Sequence, residues 1–141
     1  MSTSLEEANK AVVERVFRTW NEQDKAGFAD CHAEDVVIHG ADDVNGLENL
    51  LTVQWGFFDA FSDTHLTLEE CIAEGDLVSL RYTANGTHDG TFEGLAPTGT
   101  EVEFTAMGMV RVVDGKITDK WVQLDMLSLL AQLDAIESPV V

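Results

Sequence analysis

Helical periodicity in the first part of the chain, followed by strand alternation in the rest, predicts an α+β domain: an antiparallel sheet with helices packed on one face. Three observations carry this reading. Apolar residues recur at helical spacing from Ala8 to Trp20 and again from Leu47 to Phe61. From residue 64 onward the period changes to two. Turn signals at Gly75-Asp76 and Asp114-Gly115 separate the alternating runs, as hairpins require. With 141 residues, the chain forms one domain, 1–141, with room for a sizeable core.

The elements follow in order. Ser4-Leu-Glu-Glu7 has the pattern of a capping box, and Ala8, Val12, Val13, Val16, Phe17 and Trp20 form the apolar stripe of a helix ending near Asn21. Asp24 caps a short second helix running through Phe28 to Cys31. Val36 to His39 is a short strand ending at Gly40, and residues 41–45 form an acidic loop. Gly46 opens a third helix with Leu47, Leu50, Leu51, Trp55, Phe58 and Phe61 on its apolar face. Two strands follow around Gly75-Asp76, the second carrying Val78, Leu80, Tyr82 and Ala84 on one parity. Glycines at 86, 90, 94 and 99, with Pro97, mark a loop where a long sheet can bend. Glu101 to Val113 is a long strand, Asp114-Gly115 a hairpin turn, and Lys116 to Asp125 the last strand. Met126 to Leu133 reads as a short apolar helix, and the tail from Glu137 as frayed. A curved sheet closed by helices encloses a cone-shaped cavity, a natural small-molecule site.

Composition excludes several classes of function. Eight Lys and Arg against 26 Asp and Glu give a net charge of −18, spread along the chain. Phosphate recognition needs clustered cations, so no nucleic acid and no anionic membrane surface is expected as a partner. Charge on this scale suits a high-salt environment and a halophilic protein. No apolar run is long enough to span a membrane, and the polar start lacks the features of a signal peptide, so the expected location is cytoplasmic. Cys31 and Cys71 lack metal or redox spacing and read as buried thiols. No HExxH-like set, phosphate loop or dinucleotide fingerprint occurs, so no metal and no cofactor is expected.

The last strand holds the main candidate for chemistry. Strict alternation puts Ile117, Asp119, Trp121, Gln123 and Asp125 on one face, with Thr118, Lys120, Val122 and Leu124 on the other. Two roles are open to Asp125. Facing a dry cavity beside Trp121, it is a general acid or base. Facing water, it is the N-cap of the helix that follows. His88, in a turn after Gly-Thr, is either a second polar group of the site or a structural residue. His39, at the end of its strand, either faces the pocket mouth or lies in a loop. Trp55, Phe58, Tyr82 and Met107 are candidates for the cavity wall, against the plainer reading as core. Val110, Val112, Val122 and Leu124 are candidates for an outer sheet face. His32 and His65 read as surface residues, and Arg81 as half of a surface ion pair.

The residues from Ala73 to Gly90 (AEGDLVSLRYTANGTHDG), the Gly94-Leu-Ala-Pro-Thr-Gly99 stretch, and Gly115-Lys-Ile117 with Trp121 and Asp125 together resemble the SnoaL-like polyketide cyclases. That family lies within the NTF2-like superfamily, and the likeness covers nearly the whole chain. The resemblance implies a cone-shaped α+β fold and cofactor-free ring closure by intramolecular aldol condensation, with an aspartate as acid/base. By position that aspartate corresponds to Asp125, and the histidine of the Gly-Thr-His-x-Gly motif to His88. A small apolar carbonyl compound is the expected ligand and a homodimer the expected assembly. Because the superfamily also holds non-catalytic members, a ligand-binding or scaffold role is the alternative.

Overall fold

The computed structural model describes residues 4–137. Five helices and six strands follow one another in the order read from the sequence, except that Val44–Asn45, within the stretch read as an acidic loop, pairs with Val37 and Ile38 as a short strand, and the third helix is divided. They are α1 (Ser4–Asn21), α2 (Lys25–Asp30), β1 (His32–His39), β2 (Val44–Asn45), α3 (Leu47–Trp55), α4 (Phe57–Ala60), β3 (His65–Glu74), β4 (Leu77–Thr87), β5 (Glu101–Val113), β6 (Lys116–Leu124) and α5 (Met126–Gln132). Residues 138–141, which include most of the tail read as frayed, lie outside the described part. Among the described residues, no helix is long and apolar enough to cross a membrane.

The strands form one sheet in the order β2-β1-β6-β5-β4-β3. The three hairpin-linked strand pairs on one side, and β1 with β2, are antiparallel. β1 lies parallel to β6, so the sheet is mixed rather than purely antiparallel. The reason is topological: α3 and α4 stand between β1 and the meander, so β1 can run beside β6 without a tight turn.

Local signals explain the element ends. The Asp24 carboxylate accepts from Gly27 N at 3.0 Å and starts α2. Asp114 and Gly115 both adopt positive φ, 51° and 78°, as a two-residue hairpin turn with the twist of its strands requires. The third predicted helix divides at Gly56 into α3 and α4. β1 begins four residues earlier than the predicted Val36, because the irregular pairing between His32 and Val37 still keeps His32 against β6.

The core lies between the helices and the concave face of the sheet. Val13, Val16, Phe17 and Trp20 of α1 meet Val36, Val78, Leu80, Val110, Val112 and Ile117 of the sheet. A second cluster, with Phe61, Ala84, Phe92, Phe104 and Leu129, closes the other end. Val110 and Val112 therefore face inward, at 4% and 2% exposure, and are not an outer face. Val122 and Leu124 also lie on the inner side, where they line the cavity. The outer parity of β5 belongs to Met107 and Met109, which with Ile72 are exposed apolar residues.

Gly90 fixes the long loop before β5. A Cβ there would lie 1.8 Å from the Asp59 carbonyl oxygen at the end of α4, closer than any contact allows. The backbone N–H groups of Asp89 and Gly90 both donate to Ala60 O. Gly90→Ala is expected to destabilise the protein by roughly 2–4 kcal/mol in urea unfolding, through forced separation of loop and helix. An unchanged midpoint would contradict this contact.

Candidate active-site cavity

Helices and sheet form a cavity of about 540 Å³ with an open mouth. Its walls are mainly apolar: Phe17, Trp20 and Phe28 from the helical side, Leu80, Tyr82 and Phe104 from the sheet. The volume suits a ligand of drug-like or metabolite size.

One irregularity decides which side chains reach this space. In the β5–β6 ladder Arg111 pairs with Asp119, but Val112 pairs with Ile117. Thr118 is thus the extra residue of a β-bulge, which shifts the facing of all that follows. Ile117 points inward at 1% exposure, and so does Lys120 at 6%. Asp119 and Trp121, expected on the Ile117 face, fall on the other face, and Lys120, expected to face away from it, is the residue inside.

Lys120 is the cavity's buried amine. Its Nζ donates to Gln54 Oε1 of α3 at 3.0 Å and contacts His32 Nε2 of β1 at 3.0 Å. His32 Nδ1 lies 2.8 Å from Phe28 O. A carbonyl can only accept, so Nδ1 carries the imidazole proton and Nε2 offers its lone pair to Lys120. The ring of Phe28 stands 5.4 Å from Nζ. No carboxylate pairs with Lys120 among the described residues. Burial without a counter-charge pushes its pKa down from 10.5 to about 8, roughly 3 kcal/mol against the charged form. Burial, with the Lys120 cation adding to it, pushes His32 down to about 2, so the imidazole is neutral. His32 is therefore an interior residue and not the surface histidine its sequence context suggested. Tyr82, across the sheet, is pushed up to about 12 by burial. The buried indole N–H of Trp20 has no hydrogen-bond partner among the described residues.

The residues singled out in the sequence are dispersed. Asp125 is the N-cap of α5: its carboxylate is exposed and accepts from Ser128 N at 3.1 Å. The bulge and the end of the strand remove it from the dry interior. It does stand between Leu124 and Met126, two wall residues. His88 is fully buried but is not part of the cavity wall. Its Nδ1 accepts from Thr98 N at 3.3 Å and lies 3.0 Å from Thr98 Oγ1, while its backbone pairs with Thr100 and Gly99, so it pins the 88–100 loop. Its Nε2, beside the Phe61 ring, has no hydrogen-bond partner among the described residues.

His39 lies outside the cavity, with Nε2 2.8 Å from Asp119 Oδ2 and its ring stacked on Trp121 at 4.8 Å. The hydrogen bonds from His39 and Thr118 hold the Asp119 carboxyl below its usual range. Tyr82 and Trp121 both border the cavity, Tyr82 as expected. Trp121 does so from the strand, since alternation from Lys120 puts its ring on the outer face. Behind Trp20, Trp55 packs edge-on at 5.4 Å and Phe58 stacks at 4.4 Å, and they support the wall without forming it. Met107 is 62% exposed on the outer face, because β5 turns its even-numbered positions inward as far as Ala106 and Val110. Arg81 pairs with Glu70 at the surface, as the sequence suggested.

A signal for Lys120 was present in the sequence. Ile117 has odd parity, whereas Val122 and Leu124 have even parity. A strand can turn all three to one face only with one residue inserted between them, and that insertion turns Lys120 inward.

The Lys120–His32 pair makes a pH prediction. Unfolded His32 takes up a proton near pH 6.5, and the folded form does so only near pH 2. The unfolded state binds more protons between these values, so stability falls as pH falls. Between pH 6.5 and 5.5 the wild type is expected to lose up to about 1.4 kcal/mol per pH unit relative to His32→Gln. Urea unfolding across this range checks it, and parallel pH profiles for the two proteins would contradict it.

The geometry can be set beside known proteins. The family model of the SnoaL-like polyketide cyclases matches residues 10–133. No curated protein matches the chain. Among solved structures, the chain is 29% identical to AclR of Streptomyces galilaeus, described as a candidate hydroxylase, with a TM-score of 0.87 over 96% of this chain and 86% of that one. It is 31% identical to IdmH of Streptomyces antibioticus, described as a candidate polyketide cyclase, with a TM-score of 0.80 over 89% of this chain and 98% of that one. An LEH-like epoxide hydrolase of M. tuberculosis, 17% identical with a TM-score of 0.71 over 92% of this chain and 91% of that one, shares the fold. With a family match across most of its length and a helix-closed curved sheet around an apolar cavity, the chain belongs to the SnoaL-like polyketide cyclase family.

Proposed function

We propose that the protein is a cofactor-independent enzyme of the cyclase or isomerase type, acting on a small apolar carbonyl compound held in the cavity. The observation that carries this reading is the 540 Å³ apolar chamber with one buried, uncompensated amine, Lys120, in its wall. Ring closure of the aldol kind removes a proton beside one carbonyl and delivers a proton to the new alkoxide. A dry chamber favours such chemistry, because dipoles and charges act more strongly there than in water. Asp125 is the proposed acid/base, working from the rim between Leu124 and Met126, where the family resemblance also points.

Asp125→Asn separates the cap from the chemistry. Asparagine caps a helix as well as aspartate does, so stability is expected to change by less than about 0.5 kcal/mol. Turnover is expected to fall at least about 100-fold. Apolar aldehydes, ketones and diketones that raise the melting temperature serve as trial substrates, with products read by mass spectrometry. Full turnover in the folded variant would remove Asp125 from the mechanism.

A second reading, a non-catalytic binding protein, is favoured by one observation: Asp125 and His88 are both engaged in local structure, one as a cap and one as a loop pin. Binding in the thermal screen without any chemical conversion would support it over the first.

The assembly we propose is a homodimer through the outer sheet face, where Ile72, Met107 and Met109 are exposed. With a net charge of −18 on each chain, association is expected to strengthen as salt rises and screens the repulsion. Light scattering that gives the monomer mass at both low and high salt would contradict this.

A further inference from the structure

We propose that Lys120 is a carbonyl-capturing amine, which condenses with the aldehyde or ketone group of the compound in the cavity to form an iminium. The inference rests on the reading of the cavity as a site for an apolar carbonyl compound, and it adds the residue that would engage the carbonyl carbon.

The geometry prepares a neutral amine. A neutral amine has two N–H groups and one lone pair. Gln54 Oε1 and His32 Nε2 are both acceptors at 3.0 Å, and together they take both N–H groups. His32 cannot serve as a donor here, because its one proton is committed to Phe28 O. The remaining tetrahedral position of Nζ has no hydrogen-bond partner among the described residues, and Lys120 lines the cavity. The chain carries 26 carboxylates, yet none pairs with this amine, whereas Lys10 and Lys116 both do so at the surface. Lys120 differs from those two in being held among neutral groups. The groups that face it are His32 and Phe28, Gln54 of α3 and the neighbouring Cys31 thiol. Its depressed pKa follows from this enclosure and leaves a useful fraction neutral near pH 8.

The chemistry balances without any further reagent. The amine lone pair forms a C–N bond to the carbonyl carbon, and the carbonyl oxygen takes one proton from the attacking nitrogen and a second from solvent. The C–O bond then breaks as the remaining nitrogen lone pair forms the C=N bond, and the oxygen leaves as water, giving the iminium. A positive nitrogen beside the α-carbon makes its C–H bond acidic, so loss of that proton gives an enamine, a carbon nucleophile for ring closure or isomerisation. One water then hydrolyses the product iminium and restores the lysine.

Cinnamaldehyde with sodium cyanoborohydride at pH 7.5 tests this on the intact protein, because the hydride converts an iminium to a stable secondary amine. The chain has four lysines, at 10, 25, 116 and 120, so the other three are internal controls. Peptide mapping is expected to show Lys120 alkylated at least about tenfold faster than each of the others, from its larger neutral fraction. The preference is expected to vanish in urea, and Lys120→Arg is expected to bind the probe without forming the adduct. Equal rates at all four lysines, or a preference that survives unfolding, would overturn the inference. A thermal shift by cinnamaldehyde with no adduct at Lys120 would remove the amine's role and leave the carbonyl-site reading standing. Neither shift nor adduct would overturn both. Because the labelling is read on the wild type, the result does not depend on a variant folding.

Discussion

The single extra residue at Thr118 governs what this cavity contains. Without it, β6 would carry Asp119 and Trp121 inward and Lys120 outward, and the chamber would hold a carboxylate beside an indole. With it, the strand turns Ile117, Lys120, Val122 and Leu124 to one side. A bulge of this kind costs local ladder pairing, and burial of the flanking apolar residues offsets that cost. The same displacement leaves Asp119 outside to bind His39, and Trp121 outside to stack on it.

Burying an amine requires polar acceptors at the right distance, and each comes from a different element. His32 stands at the start of β1, Gln54 near the end of α3, and Phe28, which fixes the tautomer of His32, in α2. The site therefore depends on the helical layer being seated against the sheet. The aromatic stack of Trp20, Phe28, Trp55 and Phe58 does that seating. Aromatic packing of this sort contributes large buried area and a preferred geometry, so it positions as well as stabilises. Replacing a carboxylate partner by two neutral acceptors leaves the lysine close to the balance between its charged and neutral forms, which is where an amine is chemically useful.

Charge is distributed in the opposite sense outside. The surface ion pairs, Arg15–Asp30, Arg81–Glu70 and Lys116–Asp30 among them, use most of the few cations and leave the acid in large excess. Such exposed pairs contribute little stability individually. Stability rests on the two apolar clusters and on the loop between β4 and β5, which His88 and Gly90 hold against α4 and the Thr98–Thr100 segment.

How much the sequence showed varied with the range of the interaction involved. Helix α1, the Asp24 cap and the Asp114-Gly115 hairpin were legible, because each depends on periodicity or turn chemistry within a few residues. Tyr82 was named among the candidate wall residues and does line the cavity. Met107 was named with it and lies on the outer face, because parity gives two faces and does not say which is inside. His32 was read as a surface residue and Lys120 only as facing away from Trp121, because the partners that hold them are remote in sequence: they meet across 88 positions of chain. By itself, then, the sequence determined the fold class, the family and the existence of a chamber, all properties of local pattern. Only the tertiary structure decided what lines that chamber. One inserted residue reverses a strand's facing, and the contacts that make a buried amine tolerable form between elements that are distant in sequence.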